Sequence, residues 1–218
     1  MFSKISVEVP ITPCIELSPT LLIMRDDVEI NPIDNVKQTP LSWAAYRGHW
    51  TVIEELLAHN DIEVNSKDGY GWTPLSRTAE QGHQSVVQLL LARDDVEVNS
   101  KHYNGKTALL YAAEQGHQSV VQLLLARDDI EVNSKSYYGQ TPLGHAVERG
   151  RLEVVQLLLA RDDVDVEAVN IKIFRERTPL ELAAERGHLE VVELFRLCDA
   201  VSRVRKGGSG SVHPCWKS

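Results

Sequence analysis

TPLSRTAEQGHQSVVQLLLARDDVEVN, residues 73–99, carries a complete structural unit in its punctuation. Thr73 is a natural helix N-cap, and Pro74 fits the first helical position, where a missing N–H costs nothing. A first helix is predicted from there to about Glu80, broken by Gly82-His83. A second follows in QSVVQLLLAR, where Val86, Val87, Leu89, Leu90 and Leu91 make a wide stripe expected to be buried. The segment just before, SKDGYGW at 66–72, is turn chemistry whose glycines supply positive φ for a hairpin-like finger.

The unit recurs. TPLSWAA, TPLSRTA, TALLYAA, TPLGHAV and TPLELAA begin at Thr39, Thr73, Thr107, Thr141 and Thr178. The first four are 34 residues apart and the last 37, so three residues are inserted in the finger at 168–177. A fixed period of this size marks a stacked-repeat architecture, in which no unit buries its apolar face alone. Ala44, Ala45, Ala79, Ala112, Ala113, Ala183 and Ala184 keep the first helices thin enough for close approach. Residues 80–101 and 114–135 agree at 21 of 22 positions, a recent duplication that confines the differences between those repeats to the finger and first helix.

Finger, TPLxxAA helix, Gly-His turn, VVxLLL helix and a loop ending in Val-Asn together resemble the ankyrin repeat, over about residues 21–197. The resemblance implies an all-α solenoid of stacked helix-turn-helix units with hairpin-like fingers. Its boundaries are expected at 18–205, with a partial repeat at 18–31, an irregular segment at 1–17 and a disordered tail at 206–218. Leu21 to Asn31 aligns with the second helix and loop of a repeat whose first helix has no counterpart, so a piece of a longer array is expected. The loop Arg-Asp-Asp-Val-Glu-Val-Asn departs from the family pattern: it is one residue longer and lacks the glycine that ends the second helix. Losing that glycine would strain a left-handed cap, and the added residue offers the chain another way round. Such loops resemble those of filamentous-fungal ankyrin arrays.

The chain carries 31 acidic and 23 basic side chains, a net −8. Its last 21 residues are net +3, which leaves −11 on the body. An acidic body argues against sequence-independent nucleic-acid binding, which needs cations to displace counterions. Cys14, Cys198 and Cys215 fit no disulfide framework, so an intracellular compartment, cytoplasm or nucleus, is expected. No apolar run approaches the ~20 residues of a membrane span.

No nucleophile elbow, HExxH, phosphate loop or defensible carboxylate pair is present, so neither catalysis nor a cofactor or metal is expected. His49, His83, His117 and His188 share one repeat position, too far apart to hold one ion, and read as structural turn residues. Asp27, Asp61, Asp95, Asp129 and Asp163, with Glu29, Glu63, Glu97, Glu131 and Asp165, predict a rail of negative charge along the loops.

The informative positions vary. By the ankyrin resemblance, Tyr46, Arg47, Arg77, Tyr111 and His145 line the concave surface. Tyr70, Trp72, Tyr103, Tyr137, Tyr138 and Phe174 stand on the fingers. Tyr, Trp and Arg anchor protein interfaces more often than other side chains. For Tyr111, packing between repeats competes with the contact reading. The expected role is a monomeric, non-catalytic adaptor that binds a protein partner, with neither nucleic acid nor membrane as its target. Two other readings stay open: the ligand-sensing end of a large fungal nucleotide-binding ankyrin receptor, and a transcriptional co-regulator.

Overall fold

The computed structural model describes residues 29–173 and 176–205, with side chains as far as Leu197. The expectations for 1–17, for most of the partial repeat, for Phe174 and for the tail lie outside the described residues. Within them the chain forms ten α-helices in two rows. The inner row is α1 (Pro40–Arg47), α3 (Pro74–Gln81), α5 (Ala108–Gln115), α7 (Pro142–Glu148) and α9 (Pro179–Glu185). The outer row is α2 (Trp50–Leu57), α4 (Gln84–Leu91), α6 (Gln118–Leu125), α8 (Leu152–Leu159) and α10 (Leu189–Arg205). Each helix packs on its own repeat's partner and on its counterpart one repeat away, giving the five-unit all-α solenoid expected.

Every inner helix starts where its threonine predicts. The Oγ1 atoms of Thr39, Thr73, Thr107, Thr141 and Thr178 accept from the backbone N–H three residues on, and Ser76 and Glu181 answer as full capping boxes. The first four threonines are buried, so these bonds replace water rather than compete with it. The outer helices end differently. Ala58, Ala92, Ala126 and Ala160 close them in right-handed geometry, so no left-handed cap forms and no glycine is needed. The core runs unbroken through the stack, from Leu41 and Ile53 to Val191 and Phe195. On α4, Val86, Val87 and Leu90 are fully buried, whereas Leu89 and Leu91 are only partly covered because that row's outer flank meets solvent.

Two polar ladders fix the repeats in register, and neither was legible as a ladder in one unit. At the loop feet, Asn31, Asn65, Asn99 and Asn133 donate from Nδ2 to the carbonyls of Asp61, Asp95, Asp129 and Asp163 one repeat on, at 2.6–2.7 Å. Their Oδ1 atoms accept from the amides of Glu63, Glu97, Glu131 and Asp165 at 2.8–3.0 Å. At the opposite end, His83 Nε2 donates to the Tyr46 carbonyl at 3.0 Å and His117 Nε2 to the Glu80 carbonyl at 2.9 Å. Arg151 takes the same role toward Glu114. The turn histidines therefore staple one repeat to the last.

Part of the longer finger is taken up inside, although Asn170, Ile171 and Lys172 stay exposed. A 3₁₀ turn, Val166–Asn170, tucks Ala168 and Val169 into the core, and the finger closes afterwards through Ile173 N–H to the Arg177 carbonyl.

Gly82 shows why its position must be glycine. Its φ is +78°, and a Cβ there would lie 2.5 Å from Nδ1 of His117. Gly139 has the same φ of +78° but nothing within 4 Å. Gly139→Ala should therefore cost only the left-handed strain of about 1–2 kcal/mol, and Gly82→Ala should add a further ~1–3 kcal/mol from the displaced staple. Urea midpoints of the two variants check this, and equal midpoints would contradict the histidine contact.

Candidate functional site

Side-chain acceptors close the turns of the first three fingers. Asp68 is buried, and its Oδ1 accepts from the Tyr70 and Trp72 amides at 2.9 and 3.0 Å, closing the turn from inside. Asp34 does the same in the first finger, and His102 Nδ1 accepts from Asn104 in the third. Sequence reasoning credited the glycines and missed these acceptors, although an aspartate three residues before the turn glycine Gly71 is the available signal. The other Asp68 oxygen holds Arg77 at 2.8 Å. Burial pushes the Asp68 carboxyl up, but Arg77 and the two amides outweigh it and hold it below the usual carboxylate range.

Held this way, Arg77 lies over Trp72, 4.4 Å from the ring centroid, and also faces Tyr46 at 5.6 Å. Arg47 covers Trp43 at 4.9 Å and Tyr46 at 5.7 Å. Trp72 stacks on Tyr111 with centroids 4.4 Å apart and meets His102 at 4.6 Å. A continuous run of rings and guanidinium groups thus lines the side of the stack formed by the inner helices and fingers, from the first repeat to the third.

From the third repeat onward the same face changes character. Glu114 binds Lys106 and Arg149, and Glu148 binds Arg186 at 2.8 Å and Gln140. Arg177 pairs with Glu185. Burial raises the Glu114 carboxyl, and Lys106 more than offsets it, so the group sits below its ordinary range. These pairs are partly exposed, and each contributes modestly to stability while fixing the shape of the floor.

Two expected contact residues are not on the surface. Tyr111 is 4 % exposed: its ring is sandwiched under Trp72, and its hydroxyl bonds Asn104. Burial pushes its phenol up to about 12. His145, also 4 % exposed, sits inside the third-to-fourth repeat contact. The fifth position of the TPLxx phrase faces the neighbouring repeat once the stack forms, which explains both corrections. Of the others, Tyr46, Arg47, Tyr70, Tyr103, Tyr137 and Tyr138 are exposed, and Trp72 and Arg77 are half-buried in the wall. Tyr137 and Tyr138 are the most open, at 75 % and 74 %. The acidic rail is weaker than the sequence implies, because Asp95, Asp129 and Asp163 are each paired with the arginine two residues earlier. Arg93 and Arg161 also donate back to the Leu57 and Leu125 carbonyls of the preceding repeats.

No described helix is long and apolar enough to cross a membrane, and no cluster of metal-ligating side chains occurs among the described residues.

His145 gives a pH test of the buried contact. Desolvation first, then the Lys106 and Arg149 charges, lower its pKa against the opposing pull of Glu114 and Glu148. An imidazole kept neutral when folded but protonated below about 6.5 when unfolded stabilises the fold above that pH. That stability is lost as pH falls from there toward the folded value. Between pH 7 and pH 5 the chain should lose about 1–2 kcal/mol through this group, and His145→Gln should flatten that slope. Unfolding free energies at the two pH values decide it; identical slopes would place His145 in water.

Comparison with known proteins agrees with this architecture. The chain matches the sequence model described as ankyrin repeats in three overlapping copies, at residues 17–102, 93–170 and 138–201. No curated protein matches it.

Proposed function

Because the chain belongs to the ankyrin-repeat family, whose repeats generally mediate protein–protein interaction, we propose that it recognises a protein partner on its concave, finger-side surface. On this reading it is a non-catalytic adaptor, and binding is its whole activity. One observation carries the proposal. Of the eleven large apolar side chains exposed among the described residues, seven stand on fingers: Ile33, Val36, Tyr70, Tyr103, Tyr137, Tyr138 and Ile171. Scattered exposed apolar groups need no explanation, but a row of them along one edge marks a contact surface. Tyrosine suits that role because a rigid ring contributes large area at small entropic cost and keeps a polar tip for water.

The backbone beneath the row is already ordered. Tyr137 N–H donates to the Asn104 carbonyl at 3.0 Å, and Gly69 N–H to the Val36 carbonyl at 2.7 Å, so neighbouring fingers are tied to one another. A partner would meet a preformed edge and avoid the cost of ordering loops on binding.

Replacing Tyr137 and Tyr138 with Ala together should leave the melting temperature nearly unchanged, since exposed rings contribute little to folding. Partner binding should weaken by about 1–3 kcal/mol, the range for interface anchors. The check is capture from source-cell lysate by wild type and the double variant, with melting measured on both. Equal stability with equal yield of the same partners would move the recognition face elsewhere.

A further inference from the structure

Glu80, Glu114, Glu148 and Glu185 occupy one repeat position at the concave end of the inner helices. Three of them are neutralised by this chain. Glu114 has Lys106 from its own finger and Arg149 from the next repeat. Glu148 has Gln140 and Arg186 from the same two positions, and Glu185 has Arg177. At Glu80 both places have changed: the finger residue is Trp72, and the next-repeat residue is Gln115. Among the described interactions its carboxylate meets only the amide of Gln81, at 3.3 Å.

That carboxylate opens onto a hollow of about 580 Å³ between the second and third fingers. Tyr70, Trp72, Tyr103 and Tyr111 supply rings to its lining, with Tyr70 and Tyr103 exposed at the rim. On the far wall Lys106 is paired with Glu114, which Arg149 also holds, so among the described interactions Glu80 is the lining carboxylate without a cationic partner. Rings and a carboxylate around an open space are complementary to a cation. On this same face the chain lays its own guanidinium groups on tryptophan, Arg47 on Trp43 and Arg77 on Trp72. A flat guanidinium spans a ring and a carboxylate together, where an ammonium acts as a point charge.

We propose that the hollow beside Glu80 receives an arginine side chain of an extended partner segment. Glu80 is its counter-ion, and the exposed rings of Tyr70 and Tyr103 are its walls. The assignment rests on the concave face being the recognition surface, and it names the chemistry recognised there.

The test titrates isotope-labelled protein with N-acetyl-arginine methylamide and with its citrulline counterpart, which keeps the shape and loses the charge. Saturable amide shifts are expected at residues 69–72, 80 and 102–106 with the arginine compound. Affinity should fall about fivefold or more with citrulline, and as much in Glu80→Gln. That variant should keep its melting temperature, because the staple to His117 uses the Glu80 backbone carbonyl. Equal binding of the two compounds, unchanged binding by Glu80→Gln, or no saturable shift at these residues would each overturn the proposal. Such a result, alongside partner capture that still depends on Tyr137 and Tyr138, would remove the arginine subsite and leave concave-face recognition standing.

Discussion

An asparagine at the foot of four successive loops grips the backbone of the next loop at two points, and the stack depends on that grip. Asn65, Asn99 and Asn133 each donate to one carbonyl and accept from one amide two residues further on. A paired contact of this kind fixes translation and rotation together, which apolar packing alone does not, because burial is non-directional. The histidine staples add a single bond each at the Gly-His turns, some distance from the asparagines. Two polar ladders with a core of Ala, Val and Leu between them leave each repeat one way to sit on the last. Since stability in such arrays is close to a sum over neighbouring interfaces, the ladders act at each of the first three junctions between full repeats, and Arg186 to Glu148 takes over at the fourth.

Register at the junctions aligns the inner helices and fingers of successive repeats. On the third and fourth inner helices a finger residue, the helix's carboxylate and the next repeat's arginine meet, through Glu114 and Glu148. What differs from repeat to repeat is therefore chemistry laid on a constant frame. Rings and guanidinium groups occupy the first three repeats, through Trp43, Tyr46, Trp72 and Tyr111. Carboxylate–cation pairs occupy the rest, through Glu114, Glu148 and Glu185. The duplicated helices and loops of the second and third repeats carry the frame, and the fingers between them carry the difference.

Much of this was legible in the residues. The threonine caps, the glycine turns and the helix bounds followed from local chemistry, because each acts within a few residues of itself. The absence of a left-handed cap in the longer loop was legible for the same reason. Contacts between repeats were not. Asn99 reads as one more turn residue until Asp129 is beside it, and His83 reads as a turn filler until it meets Tyr46. Tyr111 and His145 resemble surface positions in a single unit and become interior when the neighbour stacks on them. The aspartates of the loops looked like an open acidic rail, because a carboxylate two residues from an arginine gives no sign of whether the turn brings them together. In a repeat protein the sequence of one unit specifies its own shape, and the meaning of its polar residues lies in the next unit.

Hydrogen exchange at four loop amides tests the ladder most directly. Glu63, Glu97, Glu131 and Asp165 lie in loops outside any helix, and each N–H is bonded only to an asparagine side chain of the preceding repeat among the described bonds. If the asparagines hold the stack in register, these amides exchange slowly, at rates near those of the buried inner helices. Exchange as fast as that of unbonded loop amides would contradict the account, and register would then rest on the apolar core alone.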